Sequence, residues 1–303
     1  MFEARIENTK GNILTLTDRE GDFQVVGITG LNPPNAQINM STMAGVDGAK
    51  YNSSKLNPRN IVITLKLNGS GATVESNRQI LYTYFPTKEY CKFYYKNNYR
   101  DVYIECYVEN FEVNLFQNGQ LAQISLICPQ PYFKAMQEII DDISKIVSAF
   151  KFPFSFGGTG ATNPSIDTVQ GTDFAIAFSQ IETDKITNVY NDSESETGVI
   201  IQININDSVN VIQIQNIRTG ELMILNYNFI ENDQVIINTN KGQKSVSLLR
   251  NGITTNIFSS IRRGSTFFQL QIGDNLFSYI ADDGTSDSLI NVVFKHYTVY
   301  RGV

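Results

Sequence analysis

Apolar and polar residues alternate with a period of two through much of this chain, and that rhythm sets the expected architecture. Between Asn60 and Leu67, Ile61, Ile63, Leu65 and Leu67 stand against Val62, Thr64 and Lys66, as in a half-buried strand. Val199 to Ile205 and Gln234 to Thr239 repeat the pattern. Phe2 to Val26 reads as two short strands, with Ile13, Leu14 and Leu16 in the first apolar cluster, a turn at Glu20-Gly21-Asp22, and a further strand from Phe23. Asn97-Asn98, Asn118-Gly119, Arg218-Thr219-Gly220-Glu221, Asn240-Lys241-Gly242, Asn251-Gly252 and Asp283-Gly284 punctuate the strands with turn residues, several suited to positive φ. Gly30 to Lys50 holds adjacent Pro33 and Pro34, glycines and small polar residues, which predicts a long irregular loop.

Two stretches depart from the strand period. After Arg78, Ile80 and Tyr84, like Leu81 and Phe85, are four apart, and Pro86 blocks propagation, so a short docked helix is expected. From Tyr132 to Phe150, Tyr132, Met136, Ile139, Ile143, Ile146 and Phe150 recur every three or four residues, with Phe133, Ile140 and Val147 beside them. This spacing predicts an amphipathic helix packed on its own domain, with a partner-binding helix as the alternative. Phe152-Pro153-Phe154 and Gly157-Gly158-Thr159-Gly160 break the pattern. The expected division is an N-terminal domain over 1–132, a linker helix over 133–152 and a C-terminal β-sandwich or jelly roll over 153–303.

A chain of 303 residues with 42% hydrophobic content is long enough for two cores. No apolar run approaches the roughly twenty residues of a membrane span, and MFEARIENTK carries no hydrophobic segment, so neither membrane insertion nor a signal peptide is expected and folding is placed in the cytoplasm. The net charge of −6 gives no bulk attraction to nucleic acid. Cys91, Cys106 and Cys128 are odd in number and lack C-x-x-C spacing, which fits buried thiols better than disulfides.

Chemistry-bearing candidates are few. His296 is the single histidine and shares a predicted strand face with Val292 and Phe294, the setting of a packed side chain. Asp141 with Asp142, and Asp282 with Asp283, are adjacent rather than opposed across a cleft as glycoside cleavage requires. Asn191 to Glu196 and Asp282 to Asp287 cluster oxygen ligands without the EF-hand order, so flexible polar loops are expected. Gly69-Ser70-Gly71 precedes a helix, as anion cradles do, but no Gly-Lys-Ser/Thr completes it and a plain turn is expected. No catalytic, cofactor-binding or metal-binding residue is assigned.

One ordered series of segments resembles a known family. The helical Arg78, Leu81 and Tyr82, the strand Tyr107-Val108-Glu109-Asn110-Phe111 and the closing Ser125-Leu126-Ile127-Cys128-Pro129-Gln130-Pro131-Tyr132-Phe133 are similar to distal tail proteins of long-tailed bacteriophages. Asn238 to Gly242, Gly264 to Phe268 and Tyr300-Arg301-Gly302-Val303 extend the likeness, while Gly157 to Ser195 matches least. The resemblance implies a mainly β protein with two short-to-medium helices: an N-terminal β-sandwich or split-barrel-like ring domain, then a galectin-like jelly-roll sandwich. It further implies a non-enzymatic structural role at the virion tail tip or baseplate, as a hexameric ring between the tail tube protein and a tail-tip or tail-associated protein, with a receptor-binding protein as a further partner. Contractile and non-contractile tails both remain open. The rival readings are a carbohydrate-binding module or adhesin, for which the absence of tryptophan is unfavourable, and an enzyme, for which no catalytic constellation is present.

Overall fold

The computed structural model describes residues 2–16, 21–69, 72–114, 120–142, 186–282 and 289–303. In the N-terminal half the strands are β1 Glu3–Glu7, β2 Ile13–Thr15, β3 Phe23–Thr29, β4 Ala36–Ser41, β5 Lys50–Leu56, β6 Arg59–Leu67, β7 Tyr90–Lys96, β8 Asp101–Val113, β9 Leu121–Cys128 and β10 Phe133–Asp142, with helix α1 over Ala72–Tyr84. The alternation in β6 is realised: Ile61, Ile63, Leu65 and Leu67 are buried, with β3 on one side and β9 on the other. β8 pairs with β7 and β9, and the β7–β8 turn falls at Asn97-Asn98, where the Asn97 carboxamide accepts from the Tyr99 and Arg100 amides. The Asn118-Gly119 turn and the Gly69-Ser70-Gly71 turn extend outside the described residues.

α1 packs Val74, Asn77 and Leu81 inward, Phe85 continues that face, and Ile80 is exposed. Asn77 donates to the Asn68 carbonyl, so its buried amide holds the helix to the end of β6. The N-terminal core joins this helix to Ile6, Phe93, Ile104, Ile124 and Leu126. Each such side chain gives roughly 1.5–3 kcal/mol on full burial.

The C-terminal half contains β11 Ile186–Asn191, β12 Ile200–Ile205, β13 Val209–Asn216, β14 Leu222–Phe229, β15 Gln234–Asn238, β16 Ser245–Arg250, β17 Ile253–Asn256, β18 Gly273–Ala281 and β19 Ile290–Tyr300. β17-β16-β15-β12-β19 form one layer and β11-β18-β13-β14 the other. Ile201, Ile203, Ile212, Ile214, Phe268, Phe277 and Phe294 fill the space between, with the Phe277 and Phe294 rings stacked at 4.6 Å. This two-layer sandwich is compatible with a galectin-like fold. Asn251 and Gly252 both have positive φ at the β16–β17 turn. The Asp283-Gly284 turn lies outside the described residues.

Two expectations need correction. Phe133–Asp142 is a strand, not the start of a linker helix: β10 pairs with β8 through Lys134↔Tyr103 and Ala135↔Val102, and with β19 from Phe133↔Tyr300 to Asp142↔Val293. A helical spacing of apolar residues was present, but two strand edges offer this backbone ladder partners on both sides, and pairing overrides a weak local preference. The register shift between Lys134 and Glu138 also lets the apolar residues depart from strict alternation. Among the described residues α1 is the one α-helix. The remainder of the expected linker, including Ile143 and Ile146, lies outside the described residues. The second correction is that Gly30 to Lys50 is not an irregular loop throughout, since it contains β4 and leads into β5.

Candidate functional site

β4 and β5 form a separate two-stranded antiparallel sheet, running from Ala36↔Leu56 to Ser41↔Lys50. Departure from the main sheet begins at Gly30, whose φ is 84° and whose missing Cβ would lie 2.0 Å from the Asn60 carbonyl oxygen. Only glycine permits that approach. Pro33 and Pro34 then have no amide to give a ladder, and the chain turns outward as an arm.

Every residue from 35 to 55 is exposed. Among them are Ile38 at 54%, Met40 at 61%, Met43 and Val46 at 63% and Tyr51 at 59%. Asn39 donates to Ser53 at 3.0 Å, Ser41 to Asn52 at 3.3 Å, and the Tyr51 and Ser54 hydroxyls are 2.8 Å apart. Those local bonds hold register, but they do not remove apolar surface from water. A lone hairpin is marginally stable in water, and a concentration of exposed large apolar side chains marks an interaction surface. Lys50 and Lys55 against Asp47 give the arm a small positive excess on a chain of net charge −6.

Sequence reading missed this arm, although Ala36, Ile38 and Met40 alternate with Gln37, Asn39 and Ser41. That short alternation was the available signal. Flanking prolines and glycines masked it.

The chemical candidates do not come together. His296 lies on β19 beside buried Val292 and Phe294, and neither ring nitrogen has a hydrogen-bond partner among the described residues. Its Nε2 is 3.7 Å from Asp141 Oδ2. Burial holds the imidazole below its ordinary pKa against the raising influence of Asp141, and burial raises Asp141 against the influence of His296. Asp141 therefore sits on a strand beside His296, within the stretch expected to be the linker helix.

The acidic loop before β12 is committed to structural contacts. Glu194 accepts from Arg100 and from the Arg301 amide, Glu196 pairs with Lys241, and the Asn191 carboxamide accepts from the Ser193 amide. Asp282 accepts from the Asn210 and Val211 amides, while 283–288 lie outside the described residues. Among the described residues no group of His, Cys, Asp or Glu could hold a metal ion. Cys91, Cys106 and Cys128 are free and buried, with the Cys91 and Cys106 sulfurs 3.3 Å apart. Hydrogen bonding from Cys128 and Cys91, together with burial, raises the Cys106 pKa, opposite to the shift that activates a nucleophile. No described helix is long and apolar enough to cross a membrane.

Comparison with known proteins matches the two halves of this β framework to two separate family models. Residues 14–128 match the phage tail protein RIFT-related domain, and residues 192–296 match the C-terminal domain of the siphovirus-type tail component. No curated protein sequence matches. The Dit protein of phage SPP1, described as a paradigm of the hub adsorption apparatus in phages infecting Gram-positive hosts, superposes with a TM-score of 0.66 at 14% identity, covering 98% of this chain and 99% of that one. A chain of the phage p2 baseplate in its activated conformation with Sr gives a TM-score of 0.56 at 12% identity, and one in the corresponding structure with Ca gives 0.54 at 11%, each covering 98% of both chains. Two tail-component domains in this order, which together cover most of the chain, place it in the siphovirus-type tail component family of phage tail proteins.

Proposed function

We propose that this chain closes into a homo-oligomeric, hexameric ring through its N-terminal half, with the β4–β5 arm of each copy lying on its neighbour. The observation that carries this reading is the arm itself: all of 35–55 is exposed, including Ile38, Met40, Met43, Val46 and Tyr51. An arm on one copy meeting a different patch on the next is a heterologous contact, the type that generates rings when its rotation closes. The likeness to hub and baseplate structures supports a ring, and the count of six comes from the family resemblance alone.

One face of such a ring would meet the tail tube protein and the other a tail-tip or tail-associated protein. The C-terminal sandwich would lie peripherally and could hold a receptor-binding protein. No catalytic role is proposed, because His296 and the acidic pairs form no nucleophile, base and oxyanion-donor arrangement among the described residues. Native mass spectrometry with negative-stain imaging tests the assembly directly. Rings of six copies are expected over a concentration series, including samples with the tail tube protein. Monomers throughout the series would reject the reading.

A further inference from the structure

The C-terminal four residues do not trail from the sandwich. Tyr300 and Val303 pack on the N-terminal core, the Val303 amide donates to the Leu31 carbonyl at 3.2 Å, and a Cβ on Gly302 would lie 3.1 Å from Pro33 Cδ. These contacts lie at the root of the arm, where Asn57 also donates to Asn35.

Arg59 unites the same root with the rest of the chain. Only 3% exposed, it donates from Nε to the Pro131 carbonyl at 2.9 Å, from Nη1 to the Gly30 and Asn32 carbonyls and from Nη2 to the Arg301 carbonyl. Its guanidinium lies 4.6 Å from the Phe133 ring centre. The acceptors come from the arm root, the approach to β10 and the C-terminal tail. All are neutral carbonyls, so the charge is accommodated by directed dipoles and an aromatic face. A second arginine grips the tail from the side: Arg100 donates to Gly302 and Glu194 and lies 4.3 Å from the Tyr300 ring centre, while Glu194 accepts from the Arg301 amide at 2.8 Å.

We propose that Tyr300 to Val303 form a latch, with Arg59 as its catch, fixing both the C-terminal domain and the arm root to the N-terminal core. The tail completes a site that the N-terminal half leaves short of a carbonyl acceptor and an apolar cover. Seating it orders the arm root before the arm meets any partner. This coupling does not require the proposed hexamer.

Hydrogen–deuterium exchange on the 303-residue chain and on a variant lacking residues 301–303 tests the latch at a concentration where both are monomeric. Peptides covering 29–35 and 193–199 should exchange about tenfold or more faster in the variant, while those from β6 and β12 remain protected, because local opening is distinct from global unfolding. Unchanged exchange at 29–35 would overturn the proposal. So would loss of protection across both cores, since a latch is peripheral to them. Arg59→Lys keeps the charge but removes the fork that reaches three chain segments, and should loosen the same two peptides. Wild-type exchange in Arg59→Lys would remove Arg59 as the catch. Native mass measured separately on the concentrated protein distinguishes failure of the ring reading from failure of the latch.

Discussion

The arm and β10 show opposite outcomes of strand pairing. Among the described residues β4 and β5 find partners only in each other and leave their side chains in water, whereas β10 is paired on both sides, by β8 and by β19. The arm is open to a partner chain. β10 stitches two halves of one chain into a continuous sheet. The difference teaches that a strand's place in the main sheet follows from the partners it has found, not from how exposed its apolar side chains are: Ile38 at 54% and Ile140 at 59% are both exposed, yet only the latter belongs to the stitched sheet.

Proline substitution should separate the two most strongly. Ile139→Pro places a residue without an amide opposite His296 within the β10–β19 ladder and should cost about 3 kcal/mol or more. Ile38→Pro disturbs only the exposed arm and should change monomer stability by less than about 0.5 kcal/mol. Urea unfolding of both variants at a monomeric concentration checks the contrast. Equal losses would mean that β10 contributes no more to the fold than the arm does.

The same contrast explains what was readable in the sequence. β6 and β12 advertise themselves because one face of each meets a core, so Ile61, Ile63 and Leu65, or Ile201, Ile203 and Ile205, recur at every second position. The choice of strand over helix for 133–142 depends on Tyr103 and His296, far away in sequence. Arg59 was unreadable for a similar reason, since its acceptors lie at 30, 32, 131 and 301. Family-like segments ending in Phe133 and beginning at Tyr300 signalled the fold, but the convergence of Pro131 and Arg301 on one guanidinium is a tertiary fact. The arm left a local trace in Ile38 and Met40, diluted by its turn residues.

Charge placed on the arm should affect assembly more than folding. Ile38→Asp with Met40→Asp is expected to weaken self-association by about a hundredfold, as loss of two apolar contacts at roughly 1.5 kcal/mol each would do. Monomer melting should stay close to wild type because both positions are exposed. Sedimentation equilibrium and thermal denaturation report the two effects. Unimpaired association would exclude the arm as the ring contact.

Acid should distinguish the regions next. At Glu194 burial opposes ionisation, but the Arg301 amide and Arg100 outweigh it and hold the pKa below its ordinary value. At Asp233 the Arg250 pair has the largest influence, also lowering the pKa. Folded-state pKa values below the unfolded ones give stability that is present above the unfolded pKa and lost as pH falls through the folded pKa. Below about pH 4 the latch and the β15–β16 region should loosen while the β4–β5 hairpin bonds, which involve no carboxylate, persist. Exchange measured at successive pH values checks this. Simultaneous loosening of the hairpin and the latch would show that the order of the whole arm, and not of its root alone, depends on the latch.

The smallest effect is expected from His296→Leu, because this histidine is buried beside β10 and neither nitrogen has a hydrogen-bond partner among the described residues. Burial depresses its folded pKa, so wild-type stability should decline as pH falls below the unfolded value of about 6.5, where the unfolded imidazole takes a proton more readily. Asp141 has the opposite sign: burial raises its folded pKa, so its favourable contribution is complete below the unfolded pKa and disappears as pH rises through the folded one. Leucine removes the imidazole titration and leaves the carboxyl. It should therefore lie within about 1 kcal/mol of wild type at pH 8 and show a shallower loss on acidification from pH 6.5. Urea unfolding across that pH range makes the comparison. A loss of several kcal/mol at pH 8 would show instead that a charged His296–Asp141 pair supports the β10–β19 ladder, since removing one member of a buried ion pair strands the other.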